Sequence, residues 1–259
     1  MTAAAELSVP VVTVEGAQAP GPFLVVCEHA SNVFPAEFGT LGLDPAEREA
    51  HIAWDPGALG LARGLAQRLG APLVHAGVSR LIYDLNRPPQ APGAMAAKSE
   101  IYRIPGNEDL SPDARLRRTE AVYLPFHAAL RAEIARRCAT GPLPVMVTVH
   151  SFTPVWFGAE RTVEFGVIHD ADDRLARAVV AEAQARTGLA VGLNAPYSAT
   201  DGVTHTLRLQ ATPCGLQNVM LEIRNDLIAT PGAQDAMAQT LAPVLTAALA
   251  RVETGTGGD

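Results

Sequence analysis

His29, His150 and Glu222 each stand at the end of a short apolar run, and together they could hold a metal and move a proton. The runs are Phe23-Leu-Val-Val-Cys27, opening onto Glu28-His29; Pro144-Val-Met-Val-Thr-Val149, opening onto His150-Ser151; and Asn218-Val-Met-Leu221, opening onto Glu222-Ile-Arg224. A catalytic zinc takes three protein ligands, commonly two His and one carboxylate, and keeps a fourth position for water. A second carboxylate beside it can act as general base. The liganding carboxylate is either Glu28 or Asp55. Adjacent side chains on a strand point to opposite faces, so Glu28 and His29 do not readily share one ion. That favours Asp55, whose competing role is to cap a helix. Glu222 is then the base, its competing role being a salt bridge to Arg224.

A second informative segment is Ser79-Arg80-Leu-Ile-Tyr-Asp84-Leu-Asn86-Arg87-Pro88. The even spacing of Arg80, Asp84 and Asn86 places them on one face of a regular strand. Polar groups there must be paired or functional. Arg87, at the strand end, can grip a carboxylate through a two-pronged hydrogen bond, and Arg224, on the same face as Glu222, is a further candidate for substrate binding. Arg80 either serves the site or forms an internal ion pair with Asp84.

These residues need elements to carry them. The three runs read as buried strands, bounded by Gly and Pro. Asp44 caps a helix start at 45–53, and a further helix runs over 57–69, stopped by Gly70. Strands are expected near 72–76, 80–85, 163–168 and 189–193. A long amphipathic helix is expected over 111–138, a helix capped by Asp170 to Thr187, and a last helix from Pro231 to Val252. Residues 86–111 and 194–217 read as long loops, which in compact domains are often functional. Strands alternating with helices imply one α/β domain over 1–259, with a mostly parallel or mixed sheet flanked by helices. Its ends, 1–18 and 254–259, have little to bury and are expected to fray.

Bulk properties narrow the function. The formal net charge is −7 and Lys98 is the one lysine, which disfavours nucleic-acid binding because phosphates need a basic face. No window has the apolar length of a membrane span, and the start of the chain lacks a signal-peptide pattern, so a cytoplasmic location is the expectation. Three widely spaced cysteines, Cys27, Cys138 and Cys214, make neither a disulfide framework nor a cysteine zinc site. No Gly-x-Ser-x-Gly elbow and no phosphate loop is present.

Five blocks, in order over about 23–228, resemble the N-formylglutamate amidohydrolase family. They are Cys27-Glu-His-Ala-Ser-Asn32, His51-Ile-Ala-Trp-Asp55-Pro-Gly57, Ser79-Arg80 through Asp84-Leu-Asn86-Arg87-Pro88, His150-Ser-Phe-Thr-Pro154 and Glu222-Ile-Arg-Asn-Asp-Leu227. The resemblance implies a zinc-carboxypeptidase-like (phosphorylase/hydrolase-like) fold and cleavage of the amide of an N-acylated acidic amino acid such as N-formyl-L-glutamate. It also implies a metal, zinc or another divalent ion, on His29, Asp55 and His150. Asn86-Arg87 would hold the substrate carboxylate, Glu222 would be the base, and Arg80 would steady the oxyanion. One departure stands out: where similar members show Tyr-Thr-Leu-x-Arg-His, this chain has His205-Thr-Leu-Arg-Leu209-Gln210. If that pair shapes the substrate site, the preferred acyl amino acid changes. The rival readings are a desuccinylase- or carboxypeptidase-like hydrolase and a non-catalytic binder of an acidic metabolite.

Overall fold

A computed structural model describes residues 7–255; the expectations for 1–6 and 256–259 lie outside the described residues. Seven strands form the central sheet: β1 (Val12–Glu15), β2 (Phe23–Cys27), β3 (Leu73–Ala76), β4 (Val145–Phe152), β5 (Phe165–Ile168), β6 (Val191–Leu193) and β7 (Asn218–Arg224). Their order is β1-β3-β2-β4-β7-β5-β6. β3, β2, β4 and β7 run parallel to one another, whereas β1 pairs antiparallel with β3 and β5 pairs antiparallel with β7. The sheet is therefore mixed. β1 falls in the segment expected to fray, and it is held by a four-residue pairing from Val12 opposite Ala76 to Glu15 opposite Leu73.

Strand alternation builds two cores. On one face Val25, Cys27, Val147, Val149, Val219 and Leu221 pack against three helices, α2 (Ala58–Leu69), α5 (Arg174–Arg186) and α6 (Pro231–Glu253). In α2 the apolar spacing Leu61, Ala62, Leu65, Ala66 and Leu69 supplies the buried stripe, and Gly70 ends the helix in the left-handed conformation. Gly64 lets α6 come close, since a Cβ there would sit 2.7 Å from Ala238 Cβ. Truncating a buried stripe residue such as Leu65 to Ala costs about 2–5 kcal/mol.

On the other face Leu24, Val26, Met146 and Met220 pack against Phe126, Leu130 and Ile134 of α4 (Leu124–Thr140) and against the long segment after β3. The expected single helix over 111–138 is interrupted. It consists of α3 (Pro112–Arg118), a π turn over Thr119–Tyr123, and then α4. Pro125 lacks the N–H that an unbroken ladder would need, which accounts for the wider turn just before it. The short α1 (Pro45–Glu49) is capped by Asp44, as its sequence implies.

Two further expectations are corrected. Residues 80–85 form turns rather than a strand, with Ile82 N–H bonded to Ser79 O at 3.0 Å and Arg87 N–H to Asp84 O at 3.0 Å. Asp170 does not cap α5, which starts at Arg174; its carboxylate instead accepts from the Thr204 hydroxyl at 2.8 Å. Among the described residues, no helix is long and apolar enough to cross a membrane.

Candidate active site

The polar residues of the second face, Thr148, His150 and Glu222, line up toward the carboxyl ends of the parallel strands, where the chain leaves the sheet. His150 on β4 is directly opposite Glu222 on β7, and Gly166 on β5 is opposite Glu222 from the other side. A Cβ on Gly166 would lie 2.1 Å from Ala195 O and 3.1 Å from Glu222 Cβ. The missing side chain therefore lets the 194–197 segment and Glu222 close on one another.

His29 follows β2, and its carbonyl accepts the Asp55 N–H at 2.9 Å, which fixes the loop before α2 against the strand end. The cap position of α2 is Gly57, not Asp55, so the Asp55 carboxylate is left to turn inward. Its Oδ2 lies 3.0 Å from His150 Nδ1 and 3.3 Å from His29 Nδ1, and the two Nδ1 atoms are 3.2 Å apart. Ligands held at about 2.0–2.1 Å from a tetrahedral zinc sit about 3.3 Å from each other. The three edges match that spacing. His29, Asp55 and His150 are also all buried and can offer one ligand atom each to a common point.

The outward nitrogens show why both Nδ1 atoms face inward. His29 Nε2 pairs with Asp84 Oδ1 at 2.8 Å, and His150 Nε2 lies 3.2 Å from Glu28 Oε2. The first is a hydrogen bond. The second is close but poorly aligned, since His150 Nε2 and both Glu28 oxygens have no hydrogen-bond partner. With a carboxylate behind each ring, imidazoles that carry their proton on Nε2 would turn the Nδ1 lone pairs toward each other. Two lone pairs and a carboxylate oxygen at 3.0–3.3 Å demand a positive charge between them, either protons or a cation. The donor set therefore fits a divalent metal. Glu28, the alternative third ligand, lies on the far side of His150 and supports that ring instead.

The electrostatics follow from this packing. Burial opposes ionisation of Asp55, but His29, His150 and Arg80 outweigh it and hold its carboxyl well below the usual range. Burial likewise opposes charging of His150, yet Glu28 and Asp55 raise it well above the ordinary imidazole value. Glu222 goes the other way. Burial, reinforced by Asp55 and opposed by His150, pushes it up to about 7. Its Oε2 has no partner. Such a carboxyl, close to neutrality and unoccupied by a protein donor, suits proton transfer.

The 79–88 segment is only partly what its spacing suggests. Arg80 bonds Asp55 Oδ1 at 3.1 Å and Asp84 Oδ2 at 2.6 Å, so both guanidinium ends are engaged with acids. The internal ion pair is present, and Arg80 still borders the cavity. Asn86 is corrected. Its side chain donates to Val203 O and accepts the Thr206 N–H at 2.9 Å, so it ties down the 203–206 segment and does not border the cavity. Arg224 is engaged elsewhere too: it pairs with Asp226 at 2.8 Å and Glu164 at 3.4 Å and does not border the cavity. Arg87 does border the cavity, steadied by the carbonyls of Asn86 and Gly202.

The cavity is about 220 Å³ and is walled by Phe152, Trp156, Tyr197 and Met220 around the His29–Asp55–His150 cluster, Glu222, Arg80 and Arg87. That is below the roughly 300–1,000 Å³ of clefts for drug-sized ligands, so its occupant is small. His51 and Ser99 also border it. Sequence reasoning gave His51 no role although it lies in the same block as Asp55, and it gave Asp84 no link to His29. Leu209 and Gln210 do not border the cavity. Gln210 is buried against His127, its Nε2 lying 3.1 Å from His127 Nδ1, and Leu209 O accepts from Arg131. Their departure from the family pattern thus falls in a buried network behind the site.

A mixed α/β sheet that gathers an acid, two cations and a His/Asp/His donor set in a small cavity defines an enzyme for a small polar substrate. Residues 21–229 match the model of the N-formylglutamate amidohydrolase family. The chain belongs to that family, and it is a hydrolase of an amide bond. The solved gene product Atu2144 of Agrobacterium tumefaciens is 53% identical, with 95% of this chain and 97% of that one covered at a TM-score of 0.92. An N-formylglutamate amidohydrolase from Ralstonia eutropha JMP134 shares 19% identity over 95% of this chain and 100% of that one; its TM-score of 0.67 shows a common fold. Among curated proteins, none matches this chain.

Proposed function

We propose that the chain hydrolyses the amide of a small N-acylated acidic amino acid, N-formyl-L-glutamate foremost, with zinc or a similar divalent ion held by His29, Asp55 and His150. One observation carries the reading: the three-donor cluster, backed by Asp84 and Glu28, lies in one cavity with a buried Glu222 whose Oε2 has no partner. When bound, such an ion polarises the scissile carbonyl and makes water acidic enough to attack near neutral pH.

The chain's own residues do the rest. Glu222 Oε2 takes the proton of the attacking water and returns it to the amide nitrogen as the C–N bond breaks. Its elevated proton affinity suits both halves of that transfer. Arg80, locked by Asp55 and Asp84, contributes fixed positive charge at the cavity wall, where charge develops on the carbonyl oxygen. Arg87 holds a substrate carboxylate through its remaining N–H groups. The aromatic wall of Phe152, Trp156 and Tyr197 limits water around these groups.

The test is formate release from N-formyl-L-glutamate by the purified protein, with zinc supplied and with zinc chelated. Zinc-dependent release supports the reading. A zinc-loaded sample that releases no formate refutes the substrate, and a panel of other N-acyl amino acids then separates a different hydrolase from a non-catalytic binder.

A further inference from the structure

Two short β-ribbons, one of Lys98–Ser99 with Tyr102–Arg103 and one of Val155–Trp156 with Ala159–Glu160, contribute Ser99 and Trp156 to the cavity wall. One carboxylate joins them. Glu100 Oε2 pairs with His51 Nε2 at 2.9 Å, and Glu100 Oε1 accepts the Phe157 N–H at 3.4 Å. Glu100 and Phe157 both occupy the left-handed region, with φ of 52° and 47°. Non-glycine residues rarely adopt it, and where they do the surroundings must over-determine it. Both stand in two-residue hairpin loops, which call for this conformation.

The effect of the Glu100 contact is to orient His51. The ring borders the cavity and stands edge-on to Tyr102 and Trp156, with centroids 6.4 and 6.5 Å away. With Nε2 engaged by Glu100, Nδ1 is the nitrogen left without a protein partner among the described residues. The charges around the cavity make that nitrogen informative. Both ends of the Arg80 guanidinium are already engaged by Asp55 and Asp84, whereas Arg87 contacts only backbone carbonyls. Arg87 and His51 are thus the two cationic-type groups still able to receive an anion.

Building on the amidohydrolase reading, we propose that His51, positioned by Glu100, recognises a second carboxylate of the substrate and restricts the site to N-acyl dicarboxylic amino acids. Set between the Glu100 carboxylate and a substrate carboxylate, the imidazole bridges the two by charge-assisted hydrogen bonds from its ring nitrogens. Arg87 takes one carboxylate of the substrate and His51 the other. A neutral side chain would leave Nδ1 without its partner.

Calorimetric binding tests this without turnover. N-formyl-L-glutamate and N-formyl-L-glutamine are titrated, zinc present, into Glu222→Gln protein and into the same protein carrying His51→Gln or Glu100→Gln. Both added changes should weaken the glutamate ligand about 10-fold or more, as loss of a charged hydrogen bond implies, and alter the glutamine ligand less than about threefold. Equal losses for both ligands, no loss for either, or no binding of either ligand overturns the proposal. Formate release by the Glu222-intact protein is followed separately, so failure of hydrolysis is distinguishable from failure of this recognition. Unchanged thermal midpoints exclude a folding defect, and Glu100→Gln shows whether the effect passes through the positioning carboxylate.

Discussion

Replacing Asp84 by Asn should loosen metal binding although Asp84 is not one of the three donors. Its Oδ1 receives His29 Nε2 at 2.8 Å and the Asn86 N–H at 3.0 Å, while Oδ2 receives Arg80 at 2.6 Å. All of these partners donate to a carboxylate. An amide of the same shape offers one oxygen and one NH₂, so one side must lose its acceptor. In either orientation the ion pair with Arg80 is lost and Asp55 becomes the sole acid on that guanidinium; if the NH₂ faces Arg80, the guanidinium loses its acceptor there as well. If it faces His29, Nε2 must become an acceptor, which sends the ring proton to Nδ1 and into the metal position.

Either outcome weakens the site. Removal of the carboxylate behind a metal-binding His typically costs 10–100-fold in affinity, about 1.4–2.7 kcal/mol. Glu28→Gln should sit near or below the lower end, because Glu28 approaches His150 Nε2 at 3.2 Å without hydrogen-bond alignment. The assay is zinc competition against a chromophoric chelator, with circular dichroism to show that each variant is folded. A folded Asp84→Asn protein that binds zinc within twofold of the unmodified chain would refute the reasoning. So would a larger loss in Glu28→Gln than in Asp84→Asn.

Four further outcomes follow from the same geometry. Glu222→Gln should lower kcat by about 10²–10⁴ while zinc content, read by elemental analysis, is unchanged. In metal-free protein the Glu222 carboxyl is held at about 7 by burial, above its unfolded value, so the native state binds the extra proton. Its stabilising contribution is complete below about pH 4.5 and is lost as pH rises through 7, by up to about 3 kcal/mol. Denaturant titrations should therefore show the unmodified chain losing stability relative to Glu222→Gln between pH 4.5 and 8, and parallel profiles would count against it. Gly166→Ala should destabilise by about 1–3 kcal/mol and lower kcat, because Ala195 O or Glu222 must move away from the added Cβ. Arg87→Ala should raise KM about 10-fold or more through loss of a charged hydrogen bond, with kcat much less affected; a loss confined to kcat would remove Arg87 from substrate binding.

The strand-borne half of the site was legible in the sequence because it obeys local rules. Short apolar runs ending in His29, His150 and Glu222 are buried parallel strands, and parallel strands deliver their carboxyl ends to one edge. Glu28 and His29 follow the strand in a turn: Glu28 lies behind His150, while Asp55 stands with His29 and His150 in the candidate donor set. β1 was missed because four half-exposed residues beside a Pro-rich stretch carry little pattern of their own. They are ordered by pairing with β3, some sixty residues away.

The loop-borne half obeys no period. Alternation over 80–86 suggested one strand face, yet turns there bring Arg80 and Asp84 together as an ion pair and send Asn86 toward 203–206 instead of the cavity. Spacing alone cannot separate these cases, since a polar residue every second or fourth position suits a strand, a turn or an ion pair equally. Arg224 shows the same limit from the strand side. Its parity with Glu222 is correct, but β7 ends there, and Asp226 and Glu164 draw the guanidinium away from the cavity. What places the supporting residues is the demand of the donors themselves. For Nδ1 to serve as a donor to a metal, His29 would hold its proton on Nε2, and Asp84 Oδ1 stands 2.8 Å from that nitrogen. A buried imidazole pair with inward lone pairs thus specifies acids behind it even when the sequence gives no sign of which acids they are, and here they come from residue 84 on a turn and residue 28 on the adjoining strand end.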